Sequence, residues 1–148
     1  MEWKRDSFVV TDDPARIDID VVHGFLRQVY WAKGIPLETV RKSIANSHCF
    51  SVFENDAQIG FARVISDKAT FAYLCDVFVL APHRGKGASR FMMDCIVNHP
   101  DLANLRRWML LTDDAHGLYR KFGFQDIADP RRHMEISRPK IYESSNDG

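Results

Sequence analysis

A glycine-rich loop, Arg84-Gly85-Lys86-Gly87-Ala88-Ser89, has the residue types of an anion-binding site. Pro82 ends the apolar run 77–81 before it, because proline has no N–H to give to a strand ladder. The two glycines allow the backbone to approach a ligand closely. A helix is predicted to begin at the loop, so its free N–H groups and positive dipole end face the loop. Val77 to Met93 contains three cations and no acid, which suits a phosphate or pyrophosphate.

Two common phosphate-binding loops do not fit this segment. It lacks the Gly-Lys-Ser/Thr ending of a P-loop. It also lacks the third glycine of a dinucleotide fingerprint, and its strand lies in the middle of the chain. A generic glycine turn that only caps a helix remains an alternative for the loop taken alone.

The loop resembles the acyl-CoA loop of the GNAT N-acetyltransferase superfamily, Gln/Arg-x-x-Gly-x-Gly/Ala. Arg84, Gly87 and Ser89 occupy its three defined positions, with serine in place of the usual small residue. A later segment, 114–124, is similar to the superfamily motif Asn-x-x-Ala-x-x-Leu-Tyr-x-x-x-Gly-Phe. It matches at Ala115, Leu118, Tyr119, Gly123 and Phe124, and Thr112 stands where the asparagine is usual. The resemblance covers the chain from about Phe50 to Phe124.

The resemblance implies a mixed α+β fold with a mostly antiparallel central sheet, flanking helices and two splayed strands that hold acyl-CoA. It implies an acetyl transfer from acetyl-CoA to a primary amine. The residues expected to contact the cofactor are Val77, Phe78, Val79, Arg84, Gly85, Lys86, Gly87, Ala88, Ser89 and Thr112. No metal is expected.

The reaction needs a group that protonates the departing thiolate and a group that accepts the proton of the amine. Tyr119 stands where the superfamily often has the acid, and an ordinary phenol pKa near 10 is roughly matched to a thiol. Alternatively, Tyr119 only packs within its helix. Asp76 adjoins the acyl-CoA strand and is the candidate base, but it equally fits a surface carboxylate or an ion pair with Arg63 or Arg84. His48 and His116 are weaker candidates.

Tyr30 and Trp31, predicted at the end of the first helix, are candidates for the acceptor pocket, with core packing as the alternative for Tyr30. The acceptor is expected to be a small-molecule amine. A different function, that of an acyl-CoA-binding sensor without catalysis, would keep the loop and lose the acid and the base. A nucleic-acid-binding domain is disfavoured, because 20 basic and 20 acidic residues balance and no basic stripe is present.

The periodicity predicts the order β-α-α-β-β-β-α-β-α-β in one domain, residues 1–143. The predicted strands cover 8–11, 49–54, 58–66, 69–81 and 107–112, with two late edge strands at 124–127 and 133–136. Asp18 or Asp20 is expected to cap the first helix, and Pro36 to open the second. Gly60 indicates a bulge or a close backbone approach. Residues 144–148 are expected to form a disordered polar tail.

Composition restricts the remaining possibilities. The 148 residues include 45% hydrophobic and 11% aromatic types, which is typical of a folded domain and not of a disordered chain. No apolar run reaches the length of a membrane span, and no secretory leader is apparent. Three cysteines (Cys49, Cys75, Cys95) in apolar segments predict free thiols in the cytoplasm. A homodimer is left open.

Overall fold

Six strands form one open sheet, and their order across the sheet is the same as their order along the chain. The computed structural model describes residues 1–144. The strands are β1 Glu2–Arg5, β2 Phe8–Thr11, β3 His48–Glu54, β4 Ala57–Ser66, β5 Phe71–Val79 and β6 Arg107–Leu110. Neighbouring strands are antiparallel except β5 and β6, which are parallel. This confirms the predicted mixed, mostly antiparallel sheet.

The helices begin and end where their capping residues allow. They are α1 Ile19–Leu26, α2 Leu37–Ala45, α3 Ala88–Val97, α4 His116–Arg120 and α5 Ile141–Ser144. The Asp18 carboxylate accepts the N–H groups of Asp20 and Val21, which confirms it as the cap of α1. Asn55 and Asp56 have φ of 52° and 65°, so a two-residue turn joins β3 and β4 as a hairpin.

Each face of the sheet carries its own apolar core. On one face, α3 and α4 cover a cluster that includes Phe50, Met92 and Ile96. On the other face, α1 and α2 cover a cluster that includes Leu26, Phe61 and Phe78. Burial of these side chains fixes the sheet between two helical layers and leaves the ends of β5 and β6 to form a site.

Gly60 in β4 is a point of close backbone approach, as its position inside a strand predicted. A Cβ built on Gly60 would lie 2.7 Å from the Phe78 carbonyl oxygen and 2.7 Å from a Val52 methyl group. The register also shifts between Val52 and Phe53. Glycine is therefore required here by packing against both neighbouring strands.

Several predicted boundaries are wrong. Residues 124–127 and 133–136 pair with no strand of the chain described, so the sheet ends at β6. β1 was not predicted, since Trp3 is its only apolar residue. Ser144 closes α5, and the rest of the expected tail lies outside the described residues.

Among residues 1–144, no helix is long and apolar enough to cross a membrane.

Candidate active site

The central feature of the site is the divergence of β5 from β6. The two strands pair from Phe71 opposite Arg107 to Leu74 opposite Leu110, and β5 then continues unpaired on that side to Val79. A cleft of about 390 Å³ opens at this point. Predicted site residues that line it are Tyr30, Trp31, Asp76, Val77, Thr112 and Tyr119. The splayed strand pair is thus present, and it brings the candidate acid and the candidate base to one cavity.

A β-bulge places Asp76 in the cleft. Phe61 pairs with Phe78 and Arg63 pairs with Cys75, so Ala62 faces two residues, Asp76 and Val77. Asp76 has φ 54°, in the left-handed region that non-glycine residues rarely occupy. Bulges and strained dihedrals re-aim side chains and concentrate at functional sites. Here the side chain lies at the point where β5 leaves β6.

The Asp76 carboxylate is held by two partners. Arg63 Nε donates to Oδ2 at 2.9 Å, and Trp31 Nε1 donates to Oδ1 at 3.1 Å. Arg63 in turn donates to the Ser47 hydroxyl at 3.1 Å. The ion pair with Arg63, one of the alternatives predicted for Asp76, is therefore present. Each carboxylate oxygen can still accept a further hydrogen bond.

Tyr119 lies on α4, on the opposite side of the cleft. Its side chain is 8% exposed, and its ring contacts Phe124 edge to face with centroids 5.9 Å apart. Burial, with a smaller contribution from Asp114, raises the pKa of Tyr119 to about 12. This pKa lies further from that of a thiol than the ordinary phenol value near 10 does, so the predicted match of the two pKa values is less close. The hydroxyl instead stays protonated throughout the neutral range.

Tyr30 and Trp31 form the outer wall of the cleft. They lie in turns beyond α1, which ends at Leu26, so their predicted position on the helix is wrong. The alternative prediction that Tyr30 packs in the core is also wrong, because the residue is 65% exposed. The two rings meet edge to face at 5.1 Å, and a hydrogen bond with Asp113 raises the pKa of Tyr30.

The glycine-rich loop forms a second cavity, of about 240 Å³, beside β5 and α4. Gly85 and Gly87 have φ of 80° and 91°, which explains the need for glycine. No side chain caps α3, and the first hydrogen bond of the helix is from the Phe91 N–H to the Gly87 carbonyl. Among the described residues, the N–H groups of Ala88, Ser89 and Arg90 have no acceptor, so they are free for an anion.

The charged side chains around the loop are arranged differently from the sequence expectation. Arg84 donates through Nε to the Val79 carbonyl at 2.7 Å, which ties the loop to β5. Lys86 does not line the cavity, and its Nζ lies 3.9 Å from Glu54 of β3. Glu54 also binds His83 at 2.8 Å, an acid that the sequence near the loop could not reveal. Lys121, directly after α4, lines the cavity and adds a cation.

Two further predicted cofactor residues have structural partners. The Phe78 ring is buried and stacks on Phe25 with centroids 4.0 Å apart, which leaves only its backbone for a ligand. The Thr112 hydroxyl accepts the N–H of Ala115 at 3.0 Å and so caps the turn into α4. Ala88, the first residue of α3, is buried, and Ser89 lines the loop cavity.

Neither weaker histidine candidate lies in the cleft. His116 lines a separate groove beside β6, and His48 lies in β3 in a buried cluster with Asp12 and His99. Both histidine Nε2 atoms contact Asp12 Oδ2, at 2.9 and 2.7 Å. His99 Nδ1 accepts the N–H of Asp101, so its Nε2 carries the proton. A metal ion bound at His99 Nε2 would require the loss of that proton. The cluster therefore fits a hydrogen-bonded structural role better than a metal centre.

The cysteines are poor nucleophiles. Burial raises the pKa of Cys49 and of Cys75 to about 12. Both residues pair with Arg63 from opposite sides, so they lie two strands apart. Neighbouring strands are about 4.8 Å apart. The distance between Cys49 and Cys75 is about twice that spacing, which is more than a disulfide can bridge.

Comparison with known proteins agrees with this geometry. Residues 45–126 match the model of an acetyltransferase (GNAT) domain. An inferred acetyltransferase of Gibberella zeae is 32% identical over 150 residues, which covers 86% of this chain and 84% of the relative. A GNAT-family crystal structure from Xanthomonas campestris pv. campestris is 48% identical with a TM-score of 0.91, covering 94% of this chain and 99% of that one.

A third comparison concerns the fold alone. A Clostridium acetobutylicum protein solved with acetyl-CoA is 19% identical with a TM-score of 0.62, covering 88% of this chain and 94% of that one. The family model spans more than half of the chain, and its limits enclose the bulge, the loop and α4. The chain belongs to the GNAT acetyltransferase family.

Proposed function

We propose that this protein transfers an acetyl group from acetyl-CoA to the primary amine of a small molecule, by direct attack within a ternary complex. The observation that carries the proposal is that Tyr119 and Asp76 line one cleft at the divergence of β5 and β6. The cleft and the loop cavity share β5 and α4, so one extended ligand can occupy both. A structural neighbour solved with acetyl-CoA supports the choice of cofactor.

In this proposal, the pyrophosphate binds the free N–H groups at the start of α3. Gly85 and Gly87 shape the turn, and Arg84 keeps further guanidinium donors beyond the one used on Val79. The pantetheine arm follows the side of β5 that β6 leaves open from Val77 to Val79, where the Val79 carbonyl already accepts a hydrogen bond from Arg84. That strand edge supplies hydrogen-bonding groups that no described residue of β6 satisfies.

Tyr119 acts as the acid. The amine adds to the thioester carbonyl, the C–N bond forms, and the C–S bond then breaks with its electron pair passing to sulfur. The hydroxyl proton of Tyr119 passes to the sulfur as negative charge develops there. A phenol with a pKa raised by burial keeps that proton available at neutral pH.

Asp76 acts as the base, directly or through water. Its carboxylate is oriented by Arg63 and Trp31, and its free acceptor directions can receive the proton that the substrate ammonium must lose before its nitrogen attacks the thioester. Asp76→Asn should lower kcat most at low pH, where the amine is charged, and less at high pH, where it is already neutral. An equal loss at every pH would assign Asp76 to positioning alone.

The acceptor pocket is formed by Tyr30 and Trp31. Their exposed rings at the mouth of the cleft have a polar edge and an apolar face, which suits a small organic amine. We also propose a cytoplasmic location for the protein, which its three unpaired thiols favour.

The test is a thiol-release assay with acetyl-CoA and a panel of primary amines, amino acids and peptide N-termini. Release of CoA that depends on one class of amine supports the proposal. Binding of acetyl-CoA by calorimetry without turnover on any class would favour the sensor function instead. No binding at all would refute both.

A further inference from the structure

The lining of the cleft between β5 and β6 contains acidic side chains and no basic ones. Asp76, Asp113 and Asp114 line it, whereas among residues 1–144 no lysine, arginine or histidine does so. The charge of Asp76 is compensated by its ion pair with Arg63. In the described part of the chain, no basic group lies within ion-pair distance of Asp113 or Asp114. The wall of the cleft that follows β6 therefore carries carboxylates without a counter-charge.

Aromatic rings lie beside these carboxylates. The hydrogen bond from the Tyr30 hydroxyl to Asp113 raises the pKa of Tyr30, and the charge of Asp114 adds to this effect. Tyr30 is 65% exposed and Trp31 is 41% exposed, so their ring faces are accessible to a ligand. An ammonium group that lies over an aromatic ring is attracted by the negative face of the ring. The mouth of the cleft thus combines the two kinds of group that bind an organic ammonium ion.

The Tyr119 hydroxyl indicates independently that a ligand belongs between these walls. Tyr119 lines the cleft and is 8% exposed, yet within residues 1–144 its hydroxyl has no hydrogen-bond partner. Buried hydroxyl groups are normally hydrogen-bonded. A ligand in the cleft would supply the missing partner.

The spacing of the carboxylates suits an extended organic cation better than a metal ion. In the buried cluster at Asp12, three ligand atoms lie within 4.8 Å of one another. Asp76, Asp113 and Asp114 do not come that close as a group. A single metal ion needs ligand atoms gathered around it at short distances. A carbon chain with a charge at each end can instead contact carboxylates that are farther apart.

We propose that the acceptor carries a second cationic group besides the amine that is acetylated, as an α,ω-diamine does. The reacting amine lies at Asp76 and Tyr119. The second ammonium group is bound by Asp113 and Asp114 beside the Tyr30 ring. This inference rests on the proposed acetyl transfer and adds to it the class of acceptor. Because the whole chain has a formal net charge of zero, the preference for a cation is local to the cleft.

The second charge also assists the reaction. Uncompensated carboxylates stabilise the charged form of a nearby amine, which raises its pKa and disfavours the neutral nucleophile. A second ammonium group bound at Asp113 and Asp114 compensates their charge, and its own charge lowers the pKa of the reacting ammonium. Proton loss to Asp76 is therefore easier for a diamine than for a monoamine with the same carbon chain.

The first test compares acceptors of matched length, putrescine, butylamine and γ-aminobutyrate, in the thiol-release assay. We expect kcat/KM for putrescine to exceed that for butylamine by about tenfold or more, which corresponds to about 1.4 kcal/mol. The value for γ-aminobutyrate should be the lowest, because its carboxylate meets Asp113 and Asp114. Added salt should reduce the preference, since both acids are exposed. Longer and shorter diamines, each compared with its monoamine, identify the chain length that spans the cleft.

Asp113→Asn and Asp114→Asn test the site of the second ammonium group. Each should lower the ratio of kcat/KM for putrescine to that for butylamine by about threefold, the scale of one exposed ion pair. The double variant should bring this ratio close to one. Asp101→Asn removes the same charge from an exposed turn after α3 and should leave the ratio unchanged. The ratio is insensitive to acetyl-CoA binding and to Tyr119, because both acceptors depend on them equally.

Binding of the amines is measured separately, by calorimetry on the protein saturated with CoA, which has no acetyl group to transfer. Tighter binding of putrescine than of butylamine, lost in the double variant, would support the acceptor class even without turnover, and the proposed reaction alone would then fail. Turnover and binding with no preference for the diamine at any chain length would overturn the inference and leave acetyl transfer in place. A preference that survives in the double variant would also overturn it, as would better use of γ-aminobutyrate than of butylamine.

Discussion

Replacing Tyr119 with phenylalanine separates its chemistry from its packing. The ring remains in place, and with it the edge-to-face contact with Phe124. Among the described residues, no group hydrogen-bonds the Tyr119 hydroxyl, so its removal leaves no partner unsatisfied. We therefore expect the free energy of unfolding to change by less than about 1 kcal/mol.

The kinetic effect should be much larger than the effect on stability. Loss of one positioned acid reduces turnover by about 10²-fold or more. A factor of 10² corresponds to about 2.7 kcal/mol of activation free energy. The loss should fall on kcat and not on KM, because the proton is needed only as the C–S bond breaks.

The assay measures CoA release at saturating amine, with acetyl-CoA affinity measured separately by calorimetry. Tyr73→Phe is the matched control, because Tyr73 lines the same cleft from β5 without a proposed role in proton transfer. We expect Tyr73→Phe to keep most of kcat, and both variants to bind acetyl-CoA as the wild type does. A Tyr119→Phe enzyme with more than about a third of the wild-type kcat would refute the assignment, and water would then be the donor.

Three further predictions concern binding and stability. Gly87→Val should remove the rise in Tm that acetyl-CoA causes, and cost about 1–3 kcal/mol, because φ is 91° there; an unchanged rise would place the ligand elsewhere. Gly60→Ala should cost about 1–3 kcal/mol in urea unfolding, because its Cβ would meet backbone at 2.7 Å, whereas Gly24→Ala in α1, with open space around it, should be neutral or stabilise by up to about 1 kcal/mol. Burial raises the pKa of Cys49 from 9.0 to about 12, so the folded state keeps a proton that the unfolded chain loses. Stability should fall as pH rises from about 9 to about 12, by at most about 4 kcal/mol for this thiol, and Cys49→Ala should make the decline in Tm shallower; an identical slope would contradict the shift.

The parts of the site that sequence predicted are those built from neighbouring residues. The loop from Arg84 to Ser89 needs a strand, two glycines and a helix start in immediate succession, and all of these are visible in the chain. Tyr119 was predicted from the resemblance of segment 114–124 to a family motif, which is likewise a run of neighbouring residues. Local geometry of this kind depends on dihedral preferences and on helix ends, so it can be derived without knowledge of the fold.

The parts that sequence missed depend on contacts between distant segments. The Asp76 carboxylate is fixed by Arg63 from β4, which sequence offered only as one of two alternative ion-pair partners, and by Trp31 from the turn after α1, which sequence did not link to Asp76. Glu54 likewise reaches the loop from the end of β3. Such partners are selected by the pairing of strands and the packing of helices, which a linear pattern restricts but does not specify.

The late segments show a different kind of failure. Alternation predicted strands at 124–127 and 133–136, but in the part of the chain that the structure describes neither segment pairs with a strand. Alternation states which side chains share a face, but a strand also needs a second backbone to bond to, and the contacts that bring such a backbone alongside are not written in the alternation itself.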